Sequence, residues 1–420
     1  MSMNRRNSYP SNSASMGHTA LALCVVSLLT LAGARAVLAQ SLIQGEPNTS
    51  QPIRVNNPKR LGVWHLQAER FAIGPGYKPS LARLPNGELV MVALFGETHE
   101  GKRREWTGMW RSKNGGKAWT PLHRVEGLIG REQWLTCISD GTLFATCHLL
   151  ARDYNNKDGV THSYIHRSTD GGRTWERTRI AGKEFEPKAF TMCSRNVVEL
   201  PDGTLLLGVG LNERPGRVAF VWTSKDKGQS WQCSAPVQFG RYQGKDYDNW
   251  DCFFTEDFTY LNRQGKLLHW IRCGPPSPMH PMNDNRPVPV GNDSIDRTMW
   301  CDSGDGGLTW SDIRDFGEYA RMYPRVLQLK DGRLLLTYTQ RGLAYPIGLR
   351  ALLSYDDGLS WDFEHDQLVI EGKTPWGMVQ GGGFGNTLQL DDGGLISCYS
   401  YRGADNQTYV EVVRWRLPEP

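Results

Sequence analysis

The sequence carries no large excess of charge: 48 Lys and Arg stand against 44 Asp and Glu, a formal +4. Part of that lies in Arg5, Arg6 and Arg35 near the N-terminus, which leaves little to attract a polyanion, so nucleic acid is not an expected partner. No Cys-x-x-Cys or Cys/His cluster has the spacing of zinc ligands, so no metal and no other cofactor is expected. Beyond the first forty residues no apolar run approaches the roughly 20 residues that span a bilayer. Nothing marks an oligomer interface, and a monomer is expected. What the chain does hold in quantity is glycine, 46 residues, and tryptophan, 15. That pairing suits many short strands joined by tight turns and locked by large aromatics.

Residues 1–39 read as a signal peptide. Arg5 and Arg6 supply a positive start, Ala20 to Ala32 an apolar core, and Ala36-Val37-Leu38-Ala39 small residues for cleavage after Ala39. An uncleaved N-terminal anchor is the alternative; the twin arginine lacks the continuation a Tat route needs. The expectation is a secreted or periplasmic protein, with a linker over 40–60 and one domain over 61–417. Eight cysteines remain after the leader, and an oxidising destination makes about one to three disulfides the expectation.

The chain repeats itself. Five segments share the pattern Ser-x-Asp-x-Gly-x-Thr/Ser-Trp: Ser112–Trp119, Ser168–Trp175, Ser224–Trp231, Ser303–Trp310 and Ser354–Trp361. Only the first departs, with Asn114 for Asp and Ala118 for Thr. The Asp accepts backbone N–H groups within a tight turn, the Gly takes a positive φ and the Trp packs back under a strand. Out of phase with these run six hairpins, each an apolar strand, a Gly turn and a second apolar strand, such as VVELPDGTLLLGV and VLQLKDGRLLLTY. Each of the first five leads through a further strand into a box. Four strands per unit and six units predict an all-β fold, a six-bladed β-propeller with four-stranded antiparallel blades. The last unit lacks a box, and LGVWHLQAERFAI near the start is free to supply its missing strand.

With five boxes in register with six hairpins over roughly residues 60–417, the chain resembles the sialidase (neuraminidase) superfamily of BNR/Asp-box proteins. In that superfamily the boxes lie on the face away from the active site, so the resemblance makes Asp170, Asp226, Asp305 and Asp356 turn residues. Ligand groups are then expected near the starts of the inner strands, about eight residues before each Gly turn, and at the ends of the second strands.

Those places offer Lys78, Glu97, Arg103, Arg104 and Glu105 in blade one, and Glu132, Gln133, His148, Arg152 and Asp153 in blade two. Blade three offers Arg195 and Asn196, and blade four Glu256, Asp257 and Arg272. Blade five offers Tyr323, Arg325 and Arg341, and blade six Gln380 and Asn386. So many charges converging on one funnel suit a charged, hydroxyl-rich ligand, and several guanidiniums can grip a sugar carboxylate by paired hydrogen bonds. A water-filled channel with self-neutralising charges is the bland alternative.

The resemblance sharpens some positions. TEDFTYLNRQGKLLHWIR sets Glu256 and Arg272 at the spacing of the family's glutamate, which activates a catalytic tyrosine, and of one arginine of its carboxylate-binding triad. Thr255 and Asp257 replace the family's Asn and Pro, Lys78 stands where a triad arginine is expected, and Phe384 where the tyrosine is expected. Tyr323, in Met322-Tyr323-Pro324-Arg325, is the candidate replacement nucleophile, and Glu97 or Glu105 the candidate acid/base. Arg272, Arg325, Lys78, Arg195, Arg341 and Asp257 are the candidate substrate-binding residues. The stretch from Gly274 to Asn292 reads as a wall or lid on the ligand side, and Trp250 and Trp376 as sugar-stacking candidates. The implied function is exo-acting hydrolysis of a terminal acidic sugar on a carbohydrate substrate. A non-catalytic carbohydrate-binding propeller and a propeller enzyme acting on uronic-acid polysaccharides are the alternatives.

Overall fold

A computed structural model of the chain describes residues 53–57, 62–66, 68–180, 190–211, 218–246, 253–254, 256–273, 297–317, 321–340, 348–363, 367–371, 385–403, 405 and 407–417. The leader lies outside the described residues.

Central strands such as LVMVAL, LFATCHL and LLLGVGL are buried along their length. A strand covered on both faces has no reason to alternate apolar with polar, so these read as continuous apolar runs. Sheets of this kind must be stacked face to face, and the structure stacks six of them as a β-propeller. The inner strands are Tyr77–Arg83, Arg131–Cys137, Thr191–Cys193 with Val198–Glu199, Phe258–Leu261, Arg321–Gln328 and Thr387–Gln389. Each pairs antiparallel with the second strand of its hairpin, and a third and fourth strand complete the blade. Six hydrophobic clusters fill the six junctions between consecutive blades, and each draws residues from both neighbours.

Ring closure follows the expected route. Glu69–Pro75 pairs with Thr408–Trp415 and becomes the outer strand of blade six. Inside that clasp Arg70 bonds the hydroxyl of Tyr399 (3.1 Å) and pairs with Glu411 (3.2 Å), and all three are buried. Ile53–Asn57 is a strand that pairs with Gly62–Leu66 and, at Val55, with Gln367 on the edge of blade five.

The Asp boxes form the turns their residues dictate. Asp305 Oδ1 accepts the amides of Leu308 (3.1 Å) and Thr309 (3.0 Å), while its Oδ2 takes the Thr309 hydroxyl (2.6 Å). Asp170, Asp226 and Asp356 bond their own Thr or Ser in the same way. Gly228 shows why glycine is needed here: its φ is +78°, and a Cβ would lie 2.4 Å from the Phe144 ring of the preceding blade.

Among the described side chains, Cys137, Cys147, Cys193, Cys301 and Cys398 are free thiols, and Cys193, Cys301 and Cys398 are packed into blade cores as small apolar side chains. The side chains of Cys252 and Cys273 lie outside those described.

Candidate active site

Register decides what reaches the axis. Lys78, Glu132, Glu256 and Tyr323 each stand nine residues before the turn glycine of their hairpin, Gly87, Gly141, Gly265 and Gly332. In blades one, two and five the inner strand bulges at that position, with the register shifting between Tyr77 and Ser80, Arg131 and Trp134, and Met322 and Arg325. The backbone is left-handed there, with φ of 51° at Lys78, 60° at Glu132 and 57° at Tyr323. Such strain in non-glycine residues re-aims a side chain, here into the funnel mouth. Pro79 and Pro324 follow two of the three.

These side chains meet, joined by Arg195 from blade three and Arg272 from the second strand of blade four. Lys78 Nζ pairs with Glu132 and lies 3.5 Å from Glu256. Arg195 Nη2 bridges both carboxylates, at 2.7 Å from Glu132 and 3.1 Å from Glu256. Arg272 Nη1 pairs with the other oxygen of Glu256 and lies 3.4 Å from the Tyr323 hydroxyl. The Tyr323 ring faces Lys78, Arg195 and Arg272, each with its charge 5.9 Å from the centroid. Arg131 extends the network, at 3.2 Å from Glu132 and 3.7 Å from Glu105. Glu105 is buried and also holds Arg103 at 2.9 Å.

Burial alone would raise the Glu132 carboxyl, but Lys78, Arg195 and Arg131 outweigh it and hold it well below the usual carboxylate range. Burial pushes the Lys78 ammonium well below its ordinary value against the pull of Glu132, and Arg195 and Arg131 push the same way. His148, buried beside the same cations, is driven down to about 3 chiefly by burial and is neutral; its Nδ1 meets the Ser163 hydroxyl at 3.2 Å.

Other expected residues stand elsewhere. Glu97 is exposed on the rim, between Arg104 (3.7 Å) and Arg124 (3.4 Å). Asp257 is fully buried behind the mouth, where Ser194 Oγ donates to it at 2.6 Å and burial raises its carboxyl to about 6. Arg325 lies beneath the mouth, stacked on Trp134 with its charge 4.0 Å from the centroid. Asn196 and Asn386 bind the backbone of the next blade, at Thr259 and Leu81, and so brace the ring. Asp153 holds the Glu105 amide at 2.9 Å. Arg341, Phe384, Gln380, Trp250, Trp376 and the stretch 274–292 lie outside the described residues.

Two residues rise in importance. Glu132 is the hub of the cation network, and Arg131 carries that network to Glu105. The nine-residue register was the available signal for Glu132, but nothing in the sequence marks Arg131.

Comparison with known proteins now bears on this arrangement. Residues 87–342 match the BNR repeat-like domain. The chain belongs to the BNR repeat-like family. No curated protein sequence matches it. Among solved structures, a protein of unknown function from Dyadobacter fermentans is 19% identical, with a TM-score of 0.58 over 88% of this chain and 98% of that one. A Hadza microbial sialidase is 16% identical, with a TM-score of 0.54 over 86% and 70% of the two chains. The α-L-arabinofuranosidase of Fusarium graminearum is 14% identical, with a TM-score of 0.56 over 88% and 98%. At such identities the likeness is one of fold, so what this BNR repeat-like protein does must be argued from its own funnel.

Proposed function

We propose that this protein is an exo-acting glycoside hydrolase that removes a terminal acidic sugar, sialic-acid-like, from a glycan. The observation that carries the reading is Arg272 at the mouth, whose Nη1 touches both Glu256 and the Tyr323 hydroxyl. Lys78, Arg131, Arg195 and Arg272 face Glu105, Glu132 and Glu256 there, and the surplus cation favours an anionic guest. The sugar carboxylate takes a guanidinium face from Arg272 and Arg195. Tyr323 attacks the anomeric carbon as its proton passes to Glu256. The leaving oxygen is protonated by Glu105, and water then releases the sugar from the tyrosine. The leader read from the sequence supports a site of action outside the cytoplasm.

A second reading has its own support. Glu132 and Glu256 share Arg195 Nη2, which keeps their nearest oxygens no more than about 6 Å apart. Retaining glycosidases hold their two carboxyl groups about 5–5.5 Å apart, so this pair could cleave a neutral sugar such as an arabinofuranoside. The test is turnover of fluorogenic sialoside, uronoside and arabinofuranoside by purified protein and by Tyr323→Phe. Sialoside cleavage that falls at least about a hundredfold in Tyr323→Phe is expected. Arabinofuranoside cleavage that survives Tyr323→Phe transfers the function to the carboxylate pair. Sugar binding with no turnover on any substrate makes the protein a carbohydrate-binding propeller instead.

A further inference from the structure

Beneath the mouth the inner segments of all six blades line a cavity of about 230 Å³, with Leu81, Trp134, Asn196, Phe258, Arg325 and Asn386 coming from the six blades in turn. Arg83 and Cys137, close to the hairpin turns, also line it, so it runs toward the turn face and away from the sugar site. Its one charged group near the axis is Arg325, which is 4% exposed. The guanidinium stacks on Trp134 and lies 5.2 Å from the Phe258 centroid. Nη1 donates to the carbonyls of Pro324 (2.6 Å) and Asp257 (3.3 Å), whereas Nε is buried with no acceptor. Among the described residues no carboxylate lies within ion-pair distance of it. The charged and titratable groups around it make no direct ion pair with it: Asp257 acts on it only at longer range and takes its hydrogen bond from Ser194, Arg195 has the same sign, and Tyr323 turns its hydroxyl to Arg272. A buried cation of this kind is strongly disfavoured until an anion joins it.

We propose that this axial cavity binds a small monovalent anion of the halide type at Arg325, entering from the turn face. The walls select for that class. Around Arg325 they are the rings of Trp134 and Phe258 and the amides of Asn196 and Asn386, which already bond backbone, while Arg83 farther along the cavity is paired with Asp391; a weakly hydrated halide needs only the Arg325 guanidinium. The anion also has a lever on the mouth. Arg325 staples the carbonyls of Asp257 and Pro324, the residues that follow Glu256 and Tyr323, which makes it a positioning residue for both. That consequence rests on the proposed hydrolase reading; the binding itself does not.

Two measurements on the full chain decide it without any turnover. Crystals soaked in bromide are expected to show an anomalous peak in the cavity in contact with Arg325. Thermal melting in chloride should show a saturable rise that gluconate at equal ionic strength does not produce, and Arg325→Met should abolish the rise. An empty cavity in the bromide data overturns the proposal even where the variant does not fold. So does a chloride effect that persists in Arg325→Met. A bromide peak together with no hydrolysis of any glycoside sinks the functional reading and leaves the anion site standing.

Discussion

Replacing Glu132 by Gln removes the negative hub from three cations at once. Lys78, Arg195 at 2.7 Å and Arg131 at 3.2 Å all lose their carboxylate, and the side chain is only 8% exposed, so water cannot take its place. Stranding a buried ion by removing its partner costs about 3–5 kcal/mol. Arg195 keeps Glu256 at 3.1 Å, which puts the expected loss at the lower end, about 3 kcal/mol, or roughly a hundredfold in the folding equilibrium. Because the folded carboxyl sits well below its unfolded value, its contribution is fully present above the unfolded value of about 4.3 and fades as pH falls through the folded one. Urea denaturation at pH 5–8 should therefore show a constant gap between wild type and Glu132→Gln, and the gap should close in more acid solution. Adding Lys78→Met to Glu132→Gln removes one stranded cation, so the double variant should lose at least about 1 kcal/mol less than the sum of the singles. A Glu132→Gln protein within about 0.5 kcal/mol of wild type, or additive singles, would refute the network as the mouth's organising element.

Asp257 has the opposite sign. Burial raises its folded carboxyl to about 6, so its contribution is present below the unfolded value of about 3.9 and is lost as pH rises through about 6. Asp257→Asn should thus melt with wild type near pH 4 and outlast it at pH 8 by roughly 2–3 kcal/mol, which thermal melts at the two pH values will measure. In the first Asp box Asn114 accepts the Ala118 amide at 2.8 Å, but position 118 has no hydroxyl to add a second bond. Asn114→Asp with Ala118→Thr should raise stability by about 0.5–1.5 kcal/mol in urea denaturation; a decrease would mean that the box geometry is not what limits that turn.

The scaffold was legible because its cause is local and repeated. An Asp, a Gly and a Trp at fixed offsets make one turn, and five such turns out of phase with six hairpins leave a single architecture. Closure by Glu69–Pro75 was legible for the same reason, since one unit was a strand short. The site was legible only as far as register carries. Glu256 and Tyr323 were found by position, and Glu132 stands at the same offset. Arg325 shows the limit: two residues further along its strand, it passes below the mouth and stacks on Trp134 from another blade. Glu97 and Glu105 lie on neighbouring strands of one hairpin, and only the path of the chain turns one to the rim and buries the other beside Arg131. Compartment says nothing about where a thiol packs: Cys193, Cys301 and Cys398 each fill a place in a blade core.

Why nine residues before the turn glycine should be the place for chemistry follows from the repeat itself. A propeller offers that position six times, at the ring where the inner strands approach the axis most closely from the mouth side. An ordinary extended residue there would send its side chain along the sheet face into the neighbouring blade. Lys78, Glu132 and Tyr323 avoid this by adopting φ of 51–60°, at about 1–2 kcal/mol each relative to glycine. The strain is tolerated because it is distributed: cation, anion and phenol come from different blades, and each is fixed by partners on another. Blade three uses the position differently, placing Ser194 there to hold Asp257 and letting Arg195 reach the centre from one residue later. The first five blades are therefore equivalent as scaffold while this one register carries Lys78, Glu132, Ser194, Glu256 and Tyr323 in turn, and substitutions there will alter what the funnel accepts while leaving the Asp boxes and the blade cores untouched.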